Sequence, residues 1–265
     1  MSEMRTLRVF LMLLLLSVSG LSIAGSGSGA EGAELRFDPV QTARLAKQVE
    51  YLAAERGARV IILGRVGRPA DQLPEGVEFT HVAFAVYSQI TTDEGVQLPG
   101  YVVYNLYQRA DQPDVSDLVR DYPADFFVAV EQLKAGIIIP TPEMQRRLLQ
   151  VIASESYSKL HNPAYSVSAN PYNSQFQNCT EHTLDVLNAA LYQTDDVAQI
   201  KANNRAYFKA QRLSVAPLKL MLGALLMPDL SLQDHQGPLQ TATFSTIAAY
   251  MEKYGLADEV IRLGM

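Results

Sequence analysis

Cysteine is nearly missing from this chain: Cys179 is the only one. A single thiol excludes an intramolecular disulfide. No cysteine follows the apolar run near the start, so a lipid on a new N-terminal cysteine is excluded as well. Histidine is scarce, at four residues, and no pair of them has zinc-site spacing. No metal and no other cofactor is therefore expected. Long basic runs are lacking and the net charge is −6, which leaves no expectation of a nucleic-acid partner. There is no internal repeat. Beyond the leader, the apolar stretch 217–226 is too short for a bilayer, which takes about 20 residues, and reads as a core helix.

What is present begins with an export signal. Arg5 and Arg8 form a short basic start, Val9 to Leu16 an apolar core, and Ser17 to Ile23 continue it with small residues. Ser22-Ile23-Ala24 then offers small side chains to a signal peptidase. This order predicts a cleavable signal peptide over 1–24 rather than an anchor, because the core is short and diluted by Ser and Gly. Residues 25–34 read as a flexible spacer. The expected product is periplasmic or secreted, without a stable membrane span after cleavage. Its charge is −7, since Arg5 and Arg8 outweigh Glu3 in the leader, and its length of about 240 residues suits one domain over 35–265. An unpaired thiol in an oxidising compartment is either a small buried hydrophobe or a nucleophile.

Periodicity and turn residues outline an α+β domain. Asp38-Pro39 starts a helix over 39–56, ended by Gly57. Val60 to Leu63 reads as a strand and Arg65 to Gly76 as a loop. Phe79 to Tyr87 and Tyr101 to Gln108 read as antiparallel strands joined by more than a tight turn, with Pro99 limiting the second. A short helix is expected within Asp111 to Asp121, and strands at Phe126 to Val130 and Gly136 to Ile139. Thr141-Pro142-Glu143 begins a helix reaching about residue 159. A loop covers 161–177, and helices are expected at 179–192, 197–213 and 244–254.

The chemistry-bearing pattern is Asn178-Cys179-Thr180-Glu181. Asn is a strong N-cap, and a Glu three residues on completes a capping box, so Cys179 opens a helix. Backbone N–H groups there lack partners, and the helix dipole favours a thiolate. A thiolate chemistry needs a base. His81 opens the apolar run Val82 to Val86, where a polar ring must find a partner. His182 lies on the cysteine helix beside Glu181 and Asp185, which also fits a surface position. His161 and His235 fall in polar loops and are expected to face water. Pairing the two strands puts Gln108 roughly opposite His81, with Asn105 the alternative, and one register slip exchanges them. Either amide would orient the imidazole in the Cys-His-Asn manner. Gln177 and Asn178 are candidate oxyanion donors together with the Cys179 N–H.

Thr80-His81-Val82-Ala83-Phe84 followed by Asn178-Cys179-Thr180-Glu181 resembles the circularly permuted branch of the NlpC/P60 papain-like superfamily, in which the strand histidine precedes the helix cysteine. The chain also resembles an uncharacterised exported bacterial family, domain of unknown function 2145. The superfamily resemblance covers about 77–192. It implies a papain-like antiparallel sheet packed on helices, with a helical C-terminal extension. It further implies a cysteine hydrolase or acyltransferase acting on a small-molecule, peptide or lipid substrate of the cell envelope. The competing expectation is a non-catalytic envelope binding or assembly protein with the same shell.

Overall fold

In the computed structural model, the residues described are 35–214 and 227–264. The expected leader and spacer, and the expected core helix at 217–226, lie outside them.

Helix α1, Pro39–Glu55, begins where Asp38 accepts from Val40 N and the Gln41 side chain returns to the Asp38 backbone. The sheet is built from β1 (Val60–Arg65), β2 (His81–Thr91), β3 (Gln97–Gln108), β4 (Ser116–Asp121), β5 (Lys134–Pro140) and β8 (Ala257–Gly264). Its order is β4-β3-β2-β1-β5-β8, and every neighbouring pair is antiparallel. The helices that follow α1 are α2 (Pro123–Phe126), α3 (Pro142–Ile152), α4 (Ser156–Lys159), α5 (Cys179–Tyr192), α6 (Val197–Tyr207) and α7 (Phe244–Lys253). Two short strands, β6 (Gln211–Arg212) and β7 (Gln240–Thr241), pair as a separate ribbon.

Both faces of the sheet are covered, which is why its central strands read as unbroken apolar runs. Ile61, Leu63, Ala83, Ala85 and Val103 pack under α1 and α2, with Leu45, Val49 and Phe126. Val60, Ile62, Val82, Phe84 and Val86 pack on the other side against α3, α5 and α7. Every β1 residue is buried, and burying a Val, Leu or Ile side chain contributes about 1.5–3 kcal/mol. Two glycines let the α7 aromatic approach the sheet. A Cβ at Gly136 would stand 2.7 Å from the Phe244 ring, and one at Gly64 2.9 Å from it.

Several expectations need correction. The apolar run at Phe126 to Val130 is the end of α2 and a turn, because Pro123 starts a helix there and a short apolar run does not distinguish strand from helix. Asp111 to Asp121 holds no helix; its second half is β4, pairing Asn105 with Val119 and Gln108 with Ser116. Pro99 does not stop β3, which runs back to Gln97 and pairs Pro99 with Gln89 near the tip of the hairpin. The helix from Pro142 breaks at Ala153 and resumes as α4. The segment after α6 is extended, and the chain's last element is a strand. Hence the C-terminal part is not only helical: β8 completes the sheet beside β5.

Candidate active site at the start of helix α5

Helix α5 starts at Cys179 because Asn178 caps it. Asn178 has extended backbone angles (φ −126°, ψ −179°), and its side chain accepts from Glu181 N at 2.9 Å. The cap is itself tied down. Asn178 Nδ2 donates to the Val167 carbonyl at 3.0 Å and to Thr241 Oγ1 at 3.3 Å. Thr180 Oγ1 lies 2.8 Å from both Asn178 Oδ1 and the Ala242 carbonyl, to which it donates. The thiol is buried with Leu106, Tyr165, Val167 and Leu230. It borders a narrow cleft of about 40 Å³ lined also by Phe79, Thr80 and Leu213. That is room for a water or two.

The full capping box is not formed. The Glu181 carboxylate turns instead to Lys201 Nζ at 2.5 Å, and Lys201 also holds both oxygens of Asp185, at 2.9 and 2.7 Å. All three side chains are buried. Desolvation raises the Glu181 pKa well above the usual carboxylate range, against the pull of Lys201; burial lowers that of Lys201, but the two carboxylates together outweigh it and raise it. This network fixes the first turns of α5 to α6.

Gln177 and Asn178 are placed as scaffold. Gln177 Nε2 donates to the Leu160 carbonyl at 3.0 Å and to Asp185 at 3.1 Å, and its Oε1 accepts from Asn162 N at 2.9 Å. With both side chains committed in this way, the expectation that they serve as oxyanion donors is corrected.

His81 is fully buried at the start of β2, opposite Arg65 of β1. Its Nε2 lies 2.9 Å from Asn105 Oδ1. An amide oxygen only accepts, so this bond fixes the Nε2–H tautomer and leaves the Nδ1 lone pair, which has no hydrogen-bond partner. The alternative third residue is ruled out: Gln108 Nε2 donates to the Pro113 carbonyl at 2.8 Å. The register explains it. Phe84 pairs with Tyr104, so the same ladder carried three residues on puts Tyr107, not Gln108, across from His81. The two rings stack at 4.9 Å. Asn105 shares a face with His81, one diagonal step away.

Behind Asn105 stands Asp121 of β4. Asn105 Nδ2 donates to Asp121 Oδ1 at 2.6 Å and the Tyr107 hydroxyl to Asp121 Oδ2 at 2.8 Å. Burial raises the Asp121 pKa to about 6, against hydrogen bonds and Arg65 that lower it. Arg65 donates to the Phe126 carbonyl at 2.5 Å and lies over the Tyr107 and Phe126 rings. Burial first, and the Arg65 charge second, push the His81 pKa well below 6.5, with the Asn105 bond opposing them. At neutral pH the ring is therefore uncharged. Sequence reasoning missed Arg65, Tyr107 and Asp121. A cation ending the buried run Val60 to Leu63 was the available clue to the first; strand register was needed for the others.

Alternation puts His81 with Ala83 and Ala85, on the face covered by α1 and α2, and its ring packs on Phe126 at 5.4 Å. Cys179 belongs to a separate buried cluster with Leu106, whose side chain lies on the other face by alternation. Cys179 still lies within electrostatic reach of the Tyr107 hydroxyl, where it helps burial raise the phenol's pKa.

Of the remaining histidines His182 is fully buried, while His161 and His235 are partly buried. His182 is buried edge-on to Tyr157 at 5.0 Å, and neither ring nitrogen makes a hydrogen bond of good geometry. Burial, helped by His161, lowers its pKa to about 3, with the Leu160 carbonyl acting the other way. His161 is half-buried with Nε2 3.0 Å from Ser116 Oγ, and His235 Nε2 is 3.0 Å from the Ser168 carbonyl. Loop composition concealed these contacts. Among the described residues no group of three or more His, Cys, Asp or Glu side chains could hold a metal ion. No helix among them is long and apolar enough to cross a membrane.

A family profile described as "Uncharacterized protein conserved in bacteria (DUF2145)" matches residues 52–251. The chain belongs to this family. The DUF2145 match takes in Arg65, His81, Asn105, Asp121 and Cys179 together, along with all but the last strand of the sheet. Comparison with curated proteins and with solved structures gives no match.

Proposed function

We propose that this DUF2145 protein is an exported cysteine hydrolase or acyltransferase with a permuted papain-like arrangement of the NlpC/P60 kind, acting on an amide or ester of the cell envelope. The single observation that carries the reading is the His81–Asn105 pair: a buried imidazole whose Nε2–H is held by an amide oxygen and whose Nδ1 is left as a base. Cys179 at the first position of a capped helix is the nucleophile that such a base serves. In the proposed reaction, Sγ bonds to the substrate carbonyl carbon while its proton passes to His81 Nδ1. That proton then goes to the leaving amine or alcohol as the C–N or C–O bond breaks. Water or a second nucleophile then bonds to the acyl carbon as His81 takes its proton and the C–S bond breaks, and His81 returns that proton to Sγ. First-turn N–H groups of α5 would stabilise the oxyanion.

The test uses p-nitrophenyl acetate and intact-mass measurement. Supporting results are an acetyl adduct on Cys179 in the folded protein, turnover of that adduct, and loss of both in Cys179→Ser and His81→Gln. A folded thiol that acquires no adduct, while the urea-unfolded chain does, would sink the reading. The non-catalytic binding protein is favoured by the sheet alternation that assigns His81 and Leu106, the thiol's neighbour, to opposite faces. It predicts that second result.

A further inference from the structure

We propose that a groove between α6, the β6–β7 ribbon and α7 is a binding site for an acidic saccharide. The groove has a volume of about 920 Å³, within the size range of small-molecule sites. Lys209, Arg212 and Lys253 line it, and no carboxylate does. None of these three cations makes an ion pair with a carboxylate among the described residues. The sequence shows the same imbalance: no Asp or Glu occurs between Asp196 and Asp229, in a chain whose net charge is −6. Like charges facing one groove repel each other, and an anion in the groove would relieve that repulsion.

The other lining groups indicate what kind of anion. Tyr207 is 49% exposed and lines the groove. Its ring stacks on Tyr192 at 6.4 Å and meets Tyr254 edge-on at 6.3 Å, which in turn packs on Tyr250 at 5.1 Å, so at most its other face is open to a ligand. A braced, exposed ring beside cations is a platform for a flat, apolar ligand face, such as the C–H face of a sugar. Gln240 and Ser245 supply an amide and a hydroxyl, groups of both hydrogen-bonding senses, which suit sugar hydroxyls. The first turn of α7, where Ser245 and Thr246 sit, adds a further positive field. A simple phosphate would use the cations and leave the tyrosine and the amide idle. A long nucleic acid would meet the chain's overall negative charge.

The groove adjoins the cleft over the thiol but does not depend on its chemistry. Arg212 and Gln240 line the groove, and their chain neighbours Leu213 and Thr241 line the cleft.

The experiment is calorimetric titration of the full-length exported chain with a galacturonate hexamer, with maltohexaose and with inorganic phosphate. The expected result is binding of the uronate that weakens as salt rises, and none of the neutral hexamer. Arg212→Glu/Lys253→Glu should weaken uronate binding at least about tenfold. Tyr207→Ala should weaken uronate binding too, without altering any phosphate binding. Lys47→Glu, far along the sequence on α1, should change nothing. All four residues are exposed, so the variants should fold. The proposal is overturned by absence of uronate binding, by binding that Lys47→Glu weakens as much as the groove variants do, or by phosphate and uronate binding that Tyr207→Ala leaves equal. Cys179→Ser should bind the uronate as the natural chain does, which keeps this result separate from any failure of the hydrolase reading.

Discussion

Replacing Asp121 by asparagine removes a charge that burial makes costly while keeping the side chain's shape. The carboxyl titrates near 3.8 without its surroundings and at about 6 within them, the rise being set by desolvation. That is about 2 pH units, or ~3 kcal/mol at 1.36 kcal/mol per unit. Below pH 3.8 the group is protonated whether or not the chain is folded, and it contributes nothing to the pH dependence. Between 3.8 and about 6 the unfolded chain loses the proton and the folded one keeps it, so stability falls as pH rises. Above pH 6 the full ~3 kcal/mol has been lost. Asparagine does not titrate. Its oxygen can accept from Asn105 Nδ2 and its amide can donate to the Tyr107 hydroxyl, replacing both bonds. Urea unfolding of the natural chain and Asp121→Asn, at several pH values between 3.5 and 7.5 and constant ionic strength, reads the difference directly. The variant's relative stability should climb by ~3 kcal/mol across that range. A difference that stays flat, or that falls, would refute the claim that desolvation outweighs Arg65 at this carboxyl.

Asn105→Ala should cost about 1–3 kcal/mol, because it leaves the His81 N–H and an Asp121 oxygen without partners, and should slow alkylation of Cys179; Gln108→Ala should leave the alkylation rate unchanged. Lys201→Met should destabilise by about 3–5 kcal/mol near pH 7 in chemical denaturation, since two buried carboxylates lose their counter-charge. That loss should shrink in acid as Glu181, already held above its usual range, takes a proton. His182 titrates near 6.5 when unfolded and at about 3 when folded, so its neutral form supports the fold above pH 6.5 and that support is lost as pH falls toward 3. His182→Phe should keep the ring packing on Tyr157 and move acid unfolding, followed by circular dichroism, to lower pH.

Local chemistry was legible in the sequence and tertiary register was not. The Asn178 cap, the start of α5 at Cys179 and its end near Tyr192 follow from residues within one turn of each end. The α1 boundaries follow likewise from Asp38-Pro39 and Gly57. His81 was recognisable as a histidine at the mouth of an apolar strand. The choice between Asn105 and Gln108 was not, because it turned on one residue of register that only the β2–β3 ladder fixes. Glu181 illustrates a different limit. Its position three residues after Asn178 fits a capping box, but Lys201, 20 residues on, competes for the carboxylate and wins it with a charge. The strand β8 was overlooked because Val260 and Ile261, at its centre, are flanked by charged residues; it sits at the sheet edge, where such residues face solvent.

Whether Cys179 is chemically activated is tested most directly by its alkylation rate as a function of pH, in the folded natural chain, in Asn178→Ala and in His81→Ala. A thiol at the start of a capped helix and served by the His81 base should react faster at neutral pH than a free thiol, with an apparent pKa below about 8.5. Each substitution should raise that pKa, Asn178→Ala with a stability cost of about 0.5–2 kcal/mol from the lost cap. One common curve for all three proteins, with an apparent pKa at or above about 8.5, would contradict the account and leave Cys179 as a core side chain.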